Sequence, residues 1–112
     1  MKIKMTTELY ERILEDVAEA ERKKAALELW DHLVGFMDSY WGCKLKPSDN
    51  MDAELYTYLD IFAILGFDLE WDREGYADPF SKITIFYVRR LALSREGSVI
   101  AITSGIPEWA RG

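Results

Sequence analysis

Three carboxylates alternate with apolar residues in the second half of the chain, at Asp68, Glu70 and Asp72. On a β-strand they would share one face about 7 Å apart, a spacing that could bind a divalent cation if a loop supplied another acid. The string does not follow a calcium loop, because position six is arginine and position twelve is proline. We therefore favour a solvated strand face, opposite Lys82 and Arg89 of a neighbouring strand.

The chain has one cysteine and one histidine, Cys43 and His32. These two residues cannot build a zinc site from one chain, and a nucleophilic pair also needs an orienting group and an oxyanion site. Phosphate-binding, dinucleotide-binding and nucleophile-elbow motifs are absent from the sequence. We therefore predict no catalytic residue, no metal and no cofactor, and expect a protein that binds rather than an enzyme.

The charge distribution points to a protein partner. The net charge is −6, which argues against direct binding to nucleic acid. Residues 49–78 contain nine acidic residues against the single base Arg73, whereas the sign reverses from Lys82 onward. A field of one sign speeds encounter with a basic surface and can imitate a phosphate backbone. The predicted partner-binding acidic surface comprises Asp52, Glu54, Asp60, Asp68, Glu70 and Asp72.

Arg89 and Arg90 are the one basic pair in the second half of the chain. Strand alternation would send them to opposite faces of a sheet. We therefore predict that they pair with the acidic segment instead of forming a phosphate-binding patch.

Size and hydropathy indicate one domain, residues 1–112. The chain of 13.0 kDa is 49% hydrophobic, which is enough for one globular core. No apolar run reaches about 18 residues, and no signal peptide precedes the first helix. We therefore expect a cytoplasmic protein that does not bind membranes.

A long helix is predicted from Thr7 to Trp41, since no glycine or proline occurs before Gly35. Its apolar face changes sides after Lys24. The first half presents Leu9, Tyr10, Ile13, Val17 and Ala20, and the second half presents Leu29, Trp30, Leu33, Phe36, Met37, Tyr40 and Trp41. Either the helix breaks within residues 21–24, or it continues and its halves serve different partners. We favour continuity because breaker residues are absent. A homodimer interface is then predicted at Tyr10, Ile13, Val17 and Ala20.

The remaining elements predict an α+β fold. A second helix begins at Asp49 or Asn50 and ends at Gly66, with an apolar stripe that packs antiparallel on the first helix. Strands are predicted at residues 67–72, 83–88 (extending toward 93) and 99–103, with 73–81 a loop and Gly97 in a turn. The middle strand reads as covered on both faces. The expected architecture is two helices on one face of a three-stranded antiparallel β-meander.

These observations favour a small acidic protein–protein interaction module. It would act as an inhibitor or antagonist that occludes a basic surface on a partner protein, such as a surface that binds nucleic acid. Immunity proteins and phage-encoded antagonists of nucleases share its size and charge, an analogy of composition only. One alternative is a small enzyme that uses carboxylates, with or without a metal. Another is a structural subunit of a larger assembly.

Overall fold

The computed structural model describes residues 7–46 and 51–111, with side chains in the first helix from residue 15 onward. The elements in chain order are α1 (Thr7–Trp41), α2 (Met51–Leu65), β1 (Asp68–Ala77), β2 (Thr84–Arg95), β3 (Ser98–Ser104) and the 3₁₀ turn η1 (Glu108–Ala110). The predicted α+β class is confirmed. The predicted start of the second helix, Asp49 or Asn50, lies outside the described residues.

Helix α1 is continuous over 35 residues and passes through residues 21–24 without a break. At a rise of 1.5 Å per residue it is about 52 Å long. Its second half forms one side of the core, and its buried residues are Ala26, Trp30, Leu33, Met37, Tyr40 and Trp41. The Cα radius of gyration is 19.7 Å, against about 13 Å for a compact domain of this size. The N-terminal end of α1 therefore extends beyond the rest of the domain.

Helix α2 contributes Leu55 and Phe62 to the same buried cluster. Tyr58 joins the two helices on their outer side, where its ring lies 6.2 Å from that of Phe36. Gly66 then ends the helix with φ of +87°, a left-handed conformation that favours glycine.

The sheet is antiparallel with strand order β1-β2-β3. A two-residue turn joins β2 to β3, and both of its residues have positive φ, 51° at Glu96 and 82° at Gly97. Two positive values match the right-handed twist of a hairpin. The prediction of positive φ at Gly97 is confirmed, and Glu96 shares that conformation.

Two predictions about the strands are wrong. Residues 73–77 continue β1 instead of starting a loop, because the ladder runs on through Glu74 opposite Tyr87 and Tyr76 opposite Ile85. The start of β2 is also not covered on both faces, since Phe86 is 66% exposed. Helix α1 ends at the level of Val88, whose carbonyl accepts the indole N–H of Trp41 at 2.9 Å. The β1–β2 hairpin therefore extends past the helix layer.

The sheet has a covered face and an open face. The covered face packs on the helices through the buried residues Leu69, Leu91 and Leu93. Asp68, Glu70 and Asp72 alternate with these positions along β1 and lie exposed on the open face. The segment that contains η1 covers one end of the open face, where the rings of Tyr87 and Trp109 lie 5.8 Å apart.

Candidate functional site

The first candidate surface is the α1 arm, defined here as residues 15–24, all of which are exposed. Val17 is an apolar residue on this arm, 52% exposed, and Ala20 is exposed beside it. At 100° per residue the buried residues Ala26, Leu33 and Met37 lie about 160–200° around the helix from Val17. The change of face predicted from the sequence is confirmed for these residues. The side chains of Tyr10 and Ile13, two members of the predicted dimer interface, lie outside the described part of the chain.

A bidentate ion pair fixes the direction of the arm. The Arg95 guanidinium donates to Glu19 from Nε to Oε1 at 2.9 Å and from Nη2 to Oε2 at 2.6 Å. Arg95 also donates to the carbonyl of Gly66 and lies 5.1 Å from the centroid of the Phe67 ring. Charge-assisted bidentate pairs hold a defined geometry. The helix is thus tied to the β2–β3 turn at Glu19, and about 18 Å of helix lies beyond that point.

The six predicted acidic residues do not form one surface. Asp52 is only 7% exposed and makes an ion pair with Arg73 of β1 across the core boundary. The prediction that Asp52 belongs to a partner-binding surface is corrected, because the Asp52 carboxylate joins α2 to the sheet. Glu54 and Asp60 are exposed on α2, which packs on the covered face. They therefore lie on the opposite side of the molecule from the acids of β1.

The second candidate surface is the acidic row, defined as Asp68, Glu70 and Asp72 on the open face. Asp72 lies 3.8 Å from the Nε of Arg90, whereas the side chains of Asp68 and Glu70 have no hydrogen bond or ion pair with another described residue. Across the sheet, Glu70 is opposite Ala92, which is in turn opposite the exposed Ile102 of β3. The open face is therefore acidic along β1 and apolar along β3.

A β-bulge in β2 places both Arg89 and Arg90 on the open face. Asp72 is opposite Arg90 and the next residue, Arg73, is opposite Val88, so the ladder skips Arg89. The prediction that Arg89 and Arg90 lie on opposite faces of the sheet is wrong, because a bulge interrupts side-chain alternation. Their predicted pairing with the acidic segment is confirmed, with Arg90 beside Asp72 and Arg89 2.7 Å from Glu74. Lys82 precedes β2 and does not face the acidic row.

Glu74 is the centre of a three-residue polar group. The Arg89 guanidinium donates to its Oε2 at 2.7 Å and the Tyr87 hydroxyl donates to the same oxygen at 2.8 Å. Hydrogen bonds from Arg89 and then Tyr87 lower the pKa of Glu74 below its ordinary value. Burial, followed by the Glu74 hydrogen bond, raises the pKa of Tyr87. This part of the open face is internally neutralised, so the free negative charge lies toward Asp68.

In the described part of the chain, His32 and Cys43 have different hydrogen-bond partners. The Nδ1 of His32 lies 3.2 Å from the Tyr58 hydroxyl, in a groove of about 300 Å³ between α1 and α2. Cys43 lies past the end of α1, and its thiol donates to the carbonyl of Leu45. Among residues 7–46 and 51–111, no three histidine, cysteine or acidic side chains are placed to hold a metal ion.

Arg73 and Arg95 are structural residues that the sequence reasoning missed. Both join segments far apart in the chain, Arg73 to Asp52 and Arg95 to Glu19. The only available signal for Arg73 was its position as the single base within the acidic segment.

No family model matches the chain, and neither a curated protein nor a solved structure matches it. No described helix has a stretch long and apolar enough to cross a membrane.

Proposed function

We propose that this chain is a protein–protein interaction module that self-associates through the α1 arm. The observation that carries this proposal is the unbroken arm with an exposed apolar residue, Val17, on the side opposite the core. Most helical stability in proteins comes from packing an apolar face rather than from helix propensity. Within the described residues, the domain leaves the Val17 side of the arm uncovered. A second protein surface therefore supplies the packing.

Two alanines on the arm provide a matched test. Ala20 lies on the Val17 side of the helix and Ala18 lies about 100° away from Val17, and both are exposed. Ala20→Asp and Ala18→Asp make the same chemical change with the same loss of helix propensity. We expect Ala20→Asp to abolish self-association and Ala18→Asp to retain it, as measured by light scattering after gel filtration. Equal masses for the two variants would contradict the assignment of this face.

We propose further that the module binds a protein with a basic surface through the acidic row, and acts as an antagonist by occluding that surface. Asp68 and Glu70 support this because they are exposed and unpaired among the described residues. Charge complementarity of this kind sets encounter rate and orientation more than affinity. The apolar residues across the sheet at Val99 and Ile102 are exposed and would add the contact area that charge alone does not give.

Two double variants with equal net charge test the acidic row. Asp68→Asn/Glu70→Gln removes two charges from the open face, and Glu54→Gln/Asp60→Asn removes two from α2. We expect only the first variant to lose binding to an oligolysine peptide at low ionic strength, measured by calorimetry. If both variants lose binding equally, the peptide senses net charge and the acidic row is not the site.

A further inference from the structure

The exposed side of α1 carries a regular spacing that continues beyond the arm. Val17, Ala20, Lys24 and Leu27 follow one another at intervals of three, four and three residues. This is the spacing of the a and d positions of a coiled coil, and sequence positions 10 and 13 extend it toward the N-terminus. All four residues are exposed, Leu27 at 36%. We call Val17, Ala20, Lys24 and Leu27 the α1 seam.

The seam is free of the domain's own elements. The core residues Leu33 and Met37 lie on the opposite side of the helix, and α2 approaches through Tyr58 at His32 and Phe36, about 60–100° from Val17. A second helix can therefore lie along the seam while each domain stays on the outer side of its own helix. The arrangement has twofold symmetry and closes on itself.

We infer that the occupant of the seam is a second copy of this chain, in antiparallel orientation, with Val17 of one copy against Ala20 of the other. This inference rests on the self-association proposed above and adds orientation and register to it. In an antiparallel pair an a residue meets a d residue, so the register places Lys24 opposite position 13 of the second copy. A parallel pair would place the two Lys24 ammonium groups against each other at the centre of the seam, which disfavours it.

The charges beside the seam favour the same orientation. Asp16 and Lys23 each precede a seam residue and are exposed. Antiparallel pairing brings Asp16 of each copy beside Lys23 of the other, which makes two attractive contacts. Parallel pairing would bring Asp16 beside Glu21 of the second copy, which makes two repulsive contacts. The parallel pair would also gain an attraction between Lys23 and Glu28, but that gain does no more than offset the repulsion.

A charge reversal distinguishes the two orientations. Asp16→Lys should weaken an antiparallel dimer on the order of tenfold, because two attractive rim pairs become repulsive, and it should tighten a parallel one. The double variant Asp16→Lys/Lys23→Asp should restore the affinity of the antiparallel dimer. Sedimentation equilibrium gives the dissociation constants, and circular dichroism confirms that helix content is retained.

A disulfide test gives an independent readout. In a Cys43→Ser background, Lys24→Cys places the two thiols about 16 Å apart along the axis of the antiparallel dimer, but side by side in a parallel one. We expect that the Lys24→Cys protein forms no disulfide dimer on oxidation and that Asp16→Lys weakens the dimer. Rapid disulfide formation or a tighter Asp16→Lys dimer would overturn the orientation while self-association stands. A wild-type protein that stays monomeric would overturn the proposed self-association itself, and the orientation with it.

Discussion

Replacing Gly105 with alanine should destabilise the domain by loosening the end of α1 from the sheet. A Cβ atom at residue 105 would lie 2.6 Å from Cε3 and 2.8 Å from Cγ of Trp41, well inside van der Waals contact. Neither Gly105 nor the Trp41 ring can move freely, because each is held by a hydrogen bond. The Gly105 N–H donates to the Arg89 carbonyl at 2.9 Å, and the Trp41 indole N–H donates to the Val88 carbonyl at 2.9 Å.

The magnitude follows from these two contacts. Overpacking a well-filled site costs about 1–3 kcal/mol, and losing the indole hydrogen bond adds about 1 kcal/mol. We therefore expect Gly105→Ala to lower the free energy of unfolding by about 2–4 kcal/mol. Gly105 has no left-handed φ, so backbone strain contributes nothing to the cost.

Gly35→Ala is the matched control. A Cβ at residue 35, inside α1, would meet nothing within 4 Å. Alanine there should raise the free energy of unfolding by about 0.5–1 kcal/mol, since glycine is a poor helix former. Urea denaturation followed by far-ultraviolet circular dichroism measures both variants. A Gly105→Ala protein as stable as the wild type would refute the claim that Gly105 packs tightly against the Trp41 ring.

Two further predictions concern ion pairs. Arg95→Ala should lower the free energy of unfolding by about 1–3 kcal/mol in urea denaturation, because several charge-assisted contacts are lost together. Glu19→Gln should cost less than about 1 kcal/mol, since the Glu19 side chain is half exposed, and an equal cost for the two variants would contradict this ranking. Hydrogen bonds from Lys46 and then Ser81 and the Phe80 amide lower the pKa of Asp78 from 3.8 to about 2. The stabilisation that the ionised Asp78 carboxylate gives to the fold is therefore complete above pH 3.8 and is lost as the pH falls through about 2. The wild-type protein should be more stable than Asp78→Asn at neutral pH, and the two should become equally stable near pH 2. Thermal unfolding at each pH measures this difference. A stability difference that does not change with pH would contradict the prediction.

Local patterns in the sequence predict most of the fold. The absence of breakers predicts the continuity of α1, and the alternation of Leu69 with Asp68 and Glu70 predicts the exposed row of β1. The exposure of Val17 also follows from helical periodicity alone. Each of these features depends on residues close together in the chain.

The features that the sequence did not predict depend on distant residues. The bulge at Arg89 arises from the pairing of β2 with β1, and no local pattern marks it. Asp52 is buried beside Arg73, 21 residues later in the chain, which donates a hydrogen bond to its carboxylate. The division of the acids between two sides of the molecule likewise follows from where α2 packs. Charge composition alone therefore overestimated the acidic surface.

The central claim is that the exposed side of α1 is an association surface. The weight-average mass of the unmodified chain, measured by sedimentation equilibrium from low to high micromolar concentration, tests it most directly. The mass should rise with concentration from 13.0 kDa toward twice that value. A mass that stays at 13.0 kDa over the whole range would contradict the account.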